Sequence, residues 1–249
     1  MYVNRAAILV LGRSLGVVSA IAKINYAFLI RGVELYQPLI LEDKYLRFIL
    51  RGRKSSRPGK NRYQYVIEKI LEVKGGDLHL DVGCNFGVIP LTIAQQGIYS
   101  IGVEFQYLSY LVAKEQAYLS RSSSANIINA DIIEFYEKIP TIKTLSALSI
   151  VHHIVESFDN ADLATTFLTN LFGKVEKRIV LEIASHKEGN YSWSGPNADL
   201  HGELEAEEWY TQFLAGLGFK VSTEVQYFDT HLGTRRPVLF ADRVHSPEA

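Results

Sequence analysis

The sequence predicts an α/β fold built around a parallel sheet, and three observations carry that reading. A short apolar run at 78–82 passes straight into a glycine-bearing turn and then into an apolar pattern of helical spacing over 88–94. Further runs of strand length at 98–104, 126–131, 145–151 and 178–183 alternate with helix-periodic segments, as in a sheet covered on both faces. The runs after the glycine turn close on Glu104, Asp131 and the pair His152-His153, at the strand ends where α/β folds place their ligands.

The elements follow in order. Residues 1–61 read as a mostly helical N-terminal extension. Within it, 6–30 is rich in Ile, Val, Leu and Ala but is interrupted by Arg13 and Lys23. A spanning helix needs about twenty largely apolar residues without a central charge, and a signal peptide carries its charge ahead of the apolar core. The expectation is an amphipathic or buried cap helix. The alternatives are an interfacial helix giving peripheral membrane contact, or an oligomer contact. A second apolar piece, 42–51, is followed by 53–60, which breaks periodicity and reads as a loop. The main domain is expected over 62–249. A helix over 61–73 carries Tyr65, Ile67, Ile70 and Leu71, and leads through Gly75-Gly76 into the first strand.

Gly83 and Gly87 stand where the backbone must bend sharply and come close to a ligand. Asn85 lies between them and is among the few other residues that visit left-handed conformations. Such a turn is expected to offer backbone N–H groups and the positive end of a helix dipole, which makes a nucleotide-like ligand the first hypothesis. The one cysteine, Cys84, excludes an internal disulfide framework and a cysteine zinc cluster, and a cytoplasmic location is expected. With no basic neighbour in sequence, Cys84 reads as a buried filler. Glu104 ends the second strand about twenty residues past the glycines, where an acid accepts both hydroxyls of a ribose. Asp131 suits the N-cap of a helix over 132–138, and capping alone or capping plus adenine recognition are both open. After a helix over 161–172 and the fifth strand, 184–203 is polar, bears Gly and Pro, and exceeds an ordinary connection, as functional loops do. A helix over 205–217 closes at Gly218, and strands over 220–227 and 236–241 flank a turn around Gly233.

These pieces together resemble the class I S-adenosylmethionine-dependent methyltransferases. The match lies in the Leu80-Asp81-Val82-Gly83-Cys84-Asn85-Phe86-Gly87 block, the acid of Gly102-Val103-Glu104-Phe105, the triplet Asn129-Ala130-Asp131 and the strand end Ser149-Ile150-Val151-His152-His153. It covers roughly residues 62–243. Asn85 replaces the usual middle glycine, and Lys143 stands where the family often has Asp. The resemblance implies a seven-stranded, mostly parallel sheet with helices on both faces, a Rossmann-like fold ending in an antiparallel hairpin strand. It implies S-adenosyl-L-methionine as cofactor. It also implies that Asp81, Gly83, Asn85 and Gly87 shape the pocket for the amino-acid half and that Glu104 holds the ribose. By the same carry-over Phe105 flanks the adenine, Asp131 and the Ile132 amide address the edge of the base, and Ser149 to His152 lie under the sulfonium.

On the acceptor side His152, His153, His186 and His201 are the candidate bases, and a His ending a buried strand is as readily a structural residue. No histidine spacing matches a metal-ligand set, so no metal is expected. Tyr191 and Trp193 offer an aromatic wall, whereas Trp209 at helical spacing reads as core. The expected function is methyl transfer to a hydroxyl of a small-molecule or glycan acceptor. An alternative is RNA base methylation through the basic segment 44–62, which holds eight Lys and Arg without an acid and leads into Tyr63 and Tyr65. A formal net charge of −1 rules out a global field toward nucleic acid or membrane, so that alternative rests on the local run alone. A third reading is a non-catalytic cofactor-binding partner subunit.

Overall fold

The chain enters its sheet in the middle. In the computed structural model, residues 60–75, 77–184, 196–202, 204–229 and 234–244 are described, together with Gly16 and Ser19. Helix α1 (Lys60–Leu71) precedes β1 (Leu78–Val82), and α2 (Val88–Gln95), β2 (Tyr99–Glu104), α3 (Tyr107–Leu119) and β3 (Ala125–Asn129) follow. Then come α4 (Ile132–Phe135), β4 (Ile142–Leu148), α5 (Val151–Glu156), α6 (Ala161–Gly173) and β5 (Val175–Glu182). Helices α7 (Pro196–His201) and α8 (Ala206–Gly216) lead to β6 (Phe219–Asp229) and β7 (Thr234–Arg243). The seven strands lie in the order β3-β2-β1-β4-β5-β7-β6. All neighbours are parallel except β7, which runs antiparallel to β5 and β6. The expected seven-stranded, mostly parallel α/β architecture is the observed one. Because the chain steps outward from β1 to β3 and then returns to β4, the order reverses between β1 and β4. A crevice opens at such a point.

Strand alternation sends successive side chains to opposite faces. Val180, Val238 and Phe240 face a cluster with Val66, Ile70, Val88, Ile89 and Ile93 from α1 and α2. Leu80, Val82, Ile179, Leu181, Leu239 and Ala241 face the larger cluster with Phe167, Leu171, Phe172 and Leu214 from α6 and α8. Both faces are thereby buried, which is why these strands read as apolar runs. Close approach is also built in at β2. A Cβ on Gly102 would lie 2.8 Å from Cys84 Sγ and 3.0 Å from Ile127 Cδ1 and Pro90 Cγ. Cys84 is fully buried there, and burial pushes its thiol well above the usual range, as suits a filler.

Several boundaries differ from the sequence reading. The fourth strand ends at Leu148, so Val151 belongs to a helix, and His152 and His153 sit on α5 rather than at a strand end. The third strand is Ala125–Asn129, and the helix expected over 132–138 is one α-turn followed by a 3-10 turn, Tyr136–Lys138. The segment 184–203 holds a helix, α7, which starts at Pro196, the position where proline's missing N–H costs nothing. Its residues 185–195, with His186, Tyr191 and Trp193, lie outside the described residues, as do 6–15, 20–30, the side chains of the basic segment 44–62 and the Gly233 turn. Lys143 forms an ion pair with Glu176. Among the described residues no helix is long and apolar enough to cross a membrane.

One polar chain runs through the sheet interior. The register sets His79 beside Thr144 and Asp81 beside Ser146. His79 Nδ1 lies 2.9 Å from Thr144 Oγ1, His79 Nε2 lies 3.1 Å from Ser146 Oγ, and Ser146 Oγ donates to Asp81 Oδ1 at 2.5 Å. Since the Ser146 proton goes to Asp81, Ser146 accepts from Nε2–H, and Nδ1 accepts from Thr144. With Asp81 ionised, this direction makes His79 the neutral Nε2–H tautomer. Burial holds its imidazole down at about 3. Burial pushes Asp81 up to about 7; the Ser146 bond opposes this and the nearby Glu104 adds to it.

The two groups act on stability with opposite sign. Asp81 binds its proton more tightly in the fold than in the unfolded chain, so its contribution falls as pH rises from 3.8 to about 7. His79 binds its proton less tightly in the fold, so its contribution rises with pH from about 3 to 6.5. Asp81→Asn removes the first slope and leaves the second. Its unfolding free energy relative to wild type, from urea titrations at a series of pH values, is expected to climb across the Asp81 window and level off above it. A difference independent of pH contradicts the assignment.

Candidate functional site

A cleft of about 170 Å³ lies at the reversal point, and four strand ends build it. Its walls are Val82 and Gly83 after β1, Val103 to Phe105 at the end of β2, Ala130 to Ile133 after β3, and Ile150, His153, Ile154 and Ser157 after β4. Gly83 has φ 68°, and a Cβ there would lie 2.8 Å from Ile150 Cγ1, so backbone shape and space both select glycine. Asn85 adopts φ 51°, the left-handed role its side chain permits, and Gly87 with φ 80° stands at the N-cap of α2.

The turn departs from the sequence reading in its amides. Gly83 N and Cys84 N donate to Val103 O at 2.9 and 3.1 Å, and Gly87 N donates to Cys84 O at 2.9 Å. Asn85 N donates to Glu104 Oε2 at 2.7 Å. These N–H groups are used inside the protein rather than offered as an anion cradle. Phe86 O accepts from the buried Gln116 Nε2 at 2.7 Å, which pins the turn from below.

Glu104 is the centre of the site. Its Oε2 accepts from Asn85 N and its Oε1 from Gln106 N at 2.8 Å. Burial pushes this carboxyl up, and the two amide bonds pull it back. Each oxygen has a second lone pair beyond the one an amide occupies. Asn129 Nδ2 donates to Glu104 O at 2.7 Å and Phe105 O at 3.0 Å, which ties the ends of β2 and β3 together. Phe105 itself is exposed on the cleft rim. Asp131 caps α4 by accepting from Ile133 N at 2.9 Å, and Asp131, Ile132 and Ile133 all line the cleft. Asp81 lies buried behind, and among the described residues neither its Oδ2 nor Asn85 Oδ1 has a hydrogen-bond partner.

The candidate bases occupy different environments. His153 lines the cleft with its side chain 46% exposed, and its Nδ1 lies 3.5 Å from Glu156 Oε2. His152 is buried beneath it, with ring centroids 4.1 Å apart, and its carbonyl accepts from Asn197 Nδ2 at 3.1 Å. Burial, helped by His153 and Arg236, holds the His152 imidazole down at about 3. His201 is buried against the rings of Trp209 and Tyr210, away from the cleft lining. Trp209 stacks on Phe213 at 4.8 Å and packs against the core. Ser149 does not line the cleft; its hydroxyl donates to Glu182 and accepts from Arg236 Nη1 at 2.6 Å. Sequence reasoning missed Glu182 and Arg236. It also missed His79 with Thr144 and Ser146, although two polar residues at alternate positions of an apolar strand are a readable signal.

No protein-family model and no curated protein matches the chain. Solved structures do. WbdD, a bifunctional kinase-methyltransferase, is 21% identical over 88% of the chain, with a TM-score of 0.64. The chain spans 46% of that WbdD structure. Magnesium protoporphyrin IX methyltransferase (ChlM) from Synechocystis PCC 6803 with bound SAM is 14% identical, covers 90% of this chain and 96% of its own, and has a TM-score of 0.57. The same enzyme with bound SAH is 17% identical over 74% of this chain and 83% of its own, with a TM-score of 0.54. Strand order, the antiparallel seventh strand and these likenesses agree: the chain has the class I S-adenosylmethionine-dependent methyltransferase fold.

Proposed function

We propose that this chain is a methyltransferase that uses S-adenosyl-L-methionine to methylate a hydroxyl of a small-molecule or glycan acceptor. The observation that carries the reading is the pair of buried acids at the glycine turn, Asp81 and Glu104, beside the Gly83, Cys84, Asn85 and Gly87 amides, which already have partners. A dinucleotide needs free amides for its pyrophosphate. Buried acids beside a turn whose Gly83, Cys84, Asn85 and Gly87 amides are used favour a ligand that offers ribose hydroxyls there over one that offers phosphate. When bound, S-adenosyl-L-methionine would supply an electrophilic methyl carbon, which passes to an acceptor lone pair as the S–C bond breaks and the sulfonium becomes a neutral thioether.

The residues then divide the work. Glu104 accepts the two ribose hydroxyls with the lone pairs its amide bonds leave. Phe105, Ile132 and Ile133 flank the adenine, and Asp131 reads its edge. Gly83, Asn85 and Gly87 shape the turn for the amino-acid half, with Asp81 behind. Alignment is the main contribution, since reacting atoms held near contact gain several kcal/mol. His153 takes the hydroxyl proton, and Glu156 orients its ring. His152, held neutral by burial, backs the His153 ring. His186 is the second base candidate on the acceptor side.

Donor binding is tested by thermal unfolding with S-adenosylhomocysteine. At 100 times its dissociation constant the ligand is expected to add about 2.7 kcal/mol, and Glu104→Ala to remove most of the gain. No stabilisation of wild type contradicts the proposal. Methyl release with a panel of hydroxylated metabolites and glycans then identifies the acceptor. With that acceptor, His153→Ala is expected to lower turnover by about 10²- to 10⁴-fold while leaving donor affinity unchanged, with His186→Ala measured in parallel. Full activity of His153→Ala removes it as the base.

A further inference from the structure

Behind the cleft lining, three polar side chains from separate strands come together: Glu182 and Arg236, both buried, and the half-buried Ser149. Ser149 follows β4 with φ 58°, a left-handed conformation for a residue with a side chain. Its amide donates to Glu182 O at 3.3 Å and its hydroxyl to Glu182 Oε2, at the last residue of β5. Arg236 on β7 donates from Nη1 to Ser149 Oγ at 2.6 Å, and the same nitrogen lies 4.0 Å from Glu182 Oε2. The Glu182 and Arg236 side chains are 0% and 2% exposed.

A non-glycine residue stays left-handed only where its surroundings over-determine it. Here three strands do so. A buried ion pair roughly breaks even against apolar packing, so stability alone gives little reason for this one. Its geometric consequence is specific. Ile150, the next residue, sits where a Cβ on Gly83 would meet it, and its carbonyl accepts from His153 N at 3.0 Å and Ile154 N at 3.1 Å as α5 begins. The conformation of Ser149 thus sets both the contact with the donor turn and the start of the helix that carries His153.

We propose that Ser149, Glu182 and Arg236 are positioning residues, a buried strut that fixes the start of α5 and with it His153 at the cleft mouth. Ser149 acts through this strut and does not touch the donor. The strut's purpose, though not its geometry, rests on the methyl-transfer reading above.

The test uses the full chain as wild type, Ser149→Ala, Ser149→Gly and Arg236→Lys. Glycine accepts the left-handed backbone without strain, so Ser149→Gly folds even if Ser149→Ala does not. Arg236→Lys keeps the charge but loses the planar fork. Imidazole NMR signals of His153, assigned with His153→Gln, are followed through a pH titration, and S-adenosylhomocysteine affinity is measured by calorimetry. The strut predicts that the His153 signals and titration midpoint move in all the variants that fold, while affinity stays within about tenfold of wild type. Unmoved His153 signals overturn it. So does an affinity loss of more than about tenfold on removal of the Ser149 hydroxyl, which makes Ser149 a donor contact. If wild type binds no S-adenosylhomocysteine, the methyl-transfer reading fails, and the His153 signals still decide the strut.

Discussion

The carboxylate of Glu104 is the constraint around which the site is arranged. It ends β2, accepts an amide from the glycine turn after β1 and another from its own loop, and its carbonyl takes the Asn129 side chain from β3. One residue thus locks the ends of β1, β2 and β3, beside the point where the strand order reverses. Because it is buried, the lock is electrostatically strong, and because carboxylate oxygens carry more lone pairs than the amides use, it keeps capacity for a ligand. Four amides of the turn, those of Gly83, Cys84, Asn85 and Gly87, are spent inside the protein.

The polar interior extends that logic along β4. Its residues serve the site twice. Thr144 and Ser146 carry a directed hydrogen-bond chain from His79 to Asp81, and Ser149 just beyond the strand joins the Glu182–Arg236 pair. The first chain holds the buried acid behind the glycine turn. The second governs where α5 begins. Both networks thus start from β4 or the residue just past it, and they reach β1 on one side and β5 and β7 on the other.

Much of this was readable from residue order. The strand ends at Val82 and Glu104, the N-cap at Asp131 and the alternation of strands with helices follow from apolar runs, turn residues and acids at fixed places. The end of β4 was misplaced because Ile150 and Val151 continue an apolar, β-branched run, and periodicity cannot tell a strand's last residues from a buried helix's first ones. The left-handed Ser149 has no local sign at all; its cause lies 33 and 87 residues away, in Glu182 and Arg236. The internal use of the turn amides was hidden for the same reason, since Val103 O and Glu104 come to the turn through sheet register. Helix α7 was legible in principle from Pro196 but was absorbed into a polar stretch that reads as loop.

The central claim, that four strand ends converge on an adenosyl sulfonium donor held at Glu104, is tested most directly by a crystal structure of the chain grown with S-adenosylhomocysteine. The predicted result is a nucleoside in the cleft, with both ribose hydroxyls on the Glu104 carboxylate and the adenine between Phe105 and the Ile132–Ile133 side. An empty cleft at saturating ligand, or a nucleoside bound with its ribose away from Glu104, would contradict it.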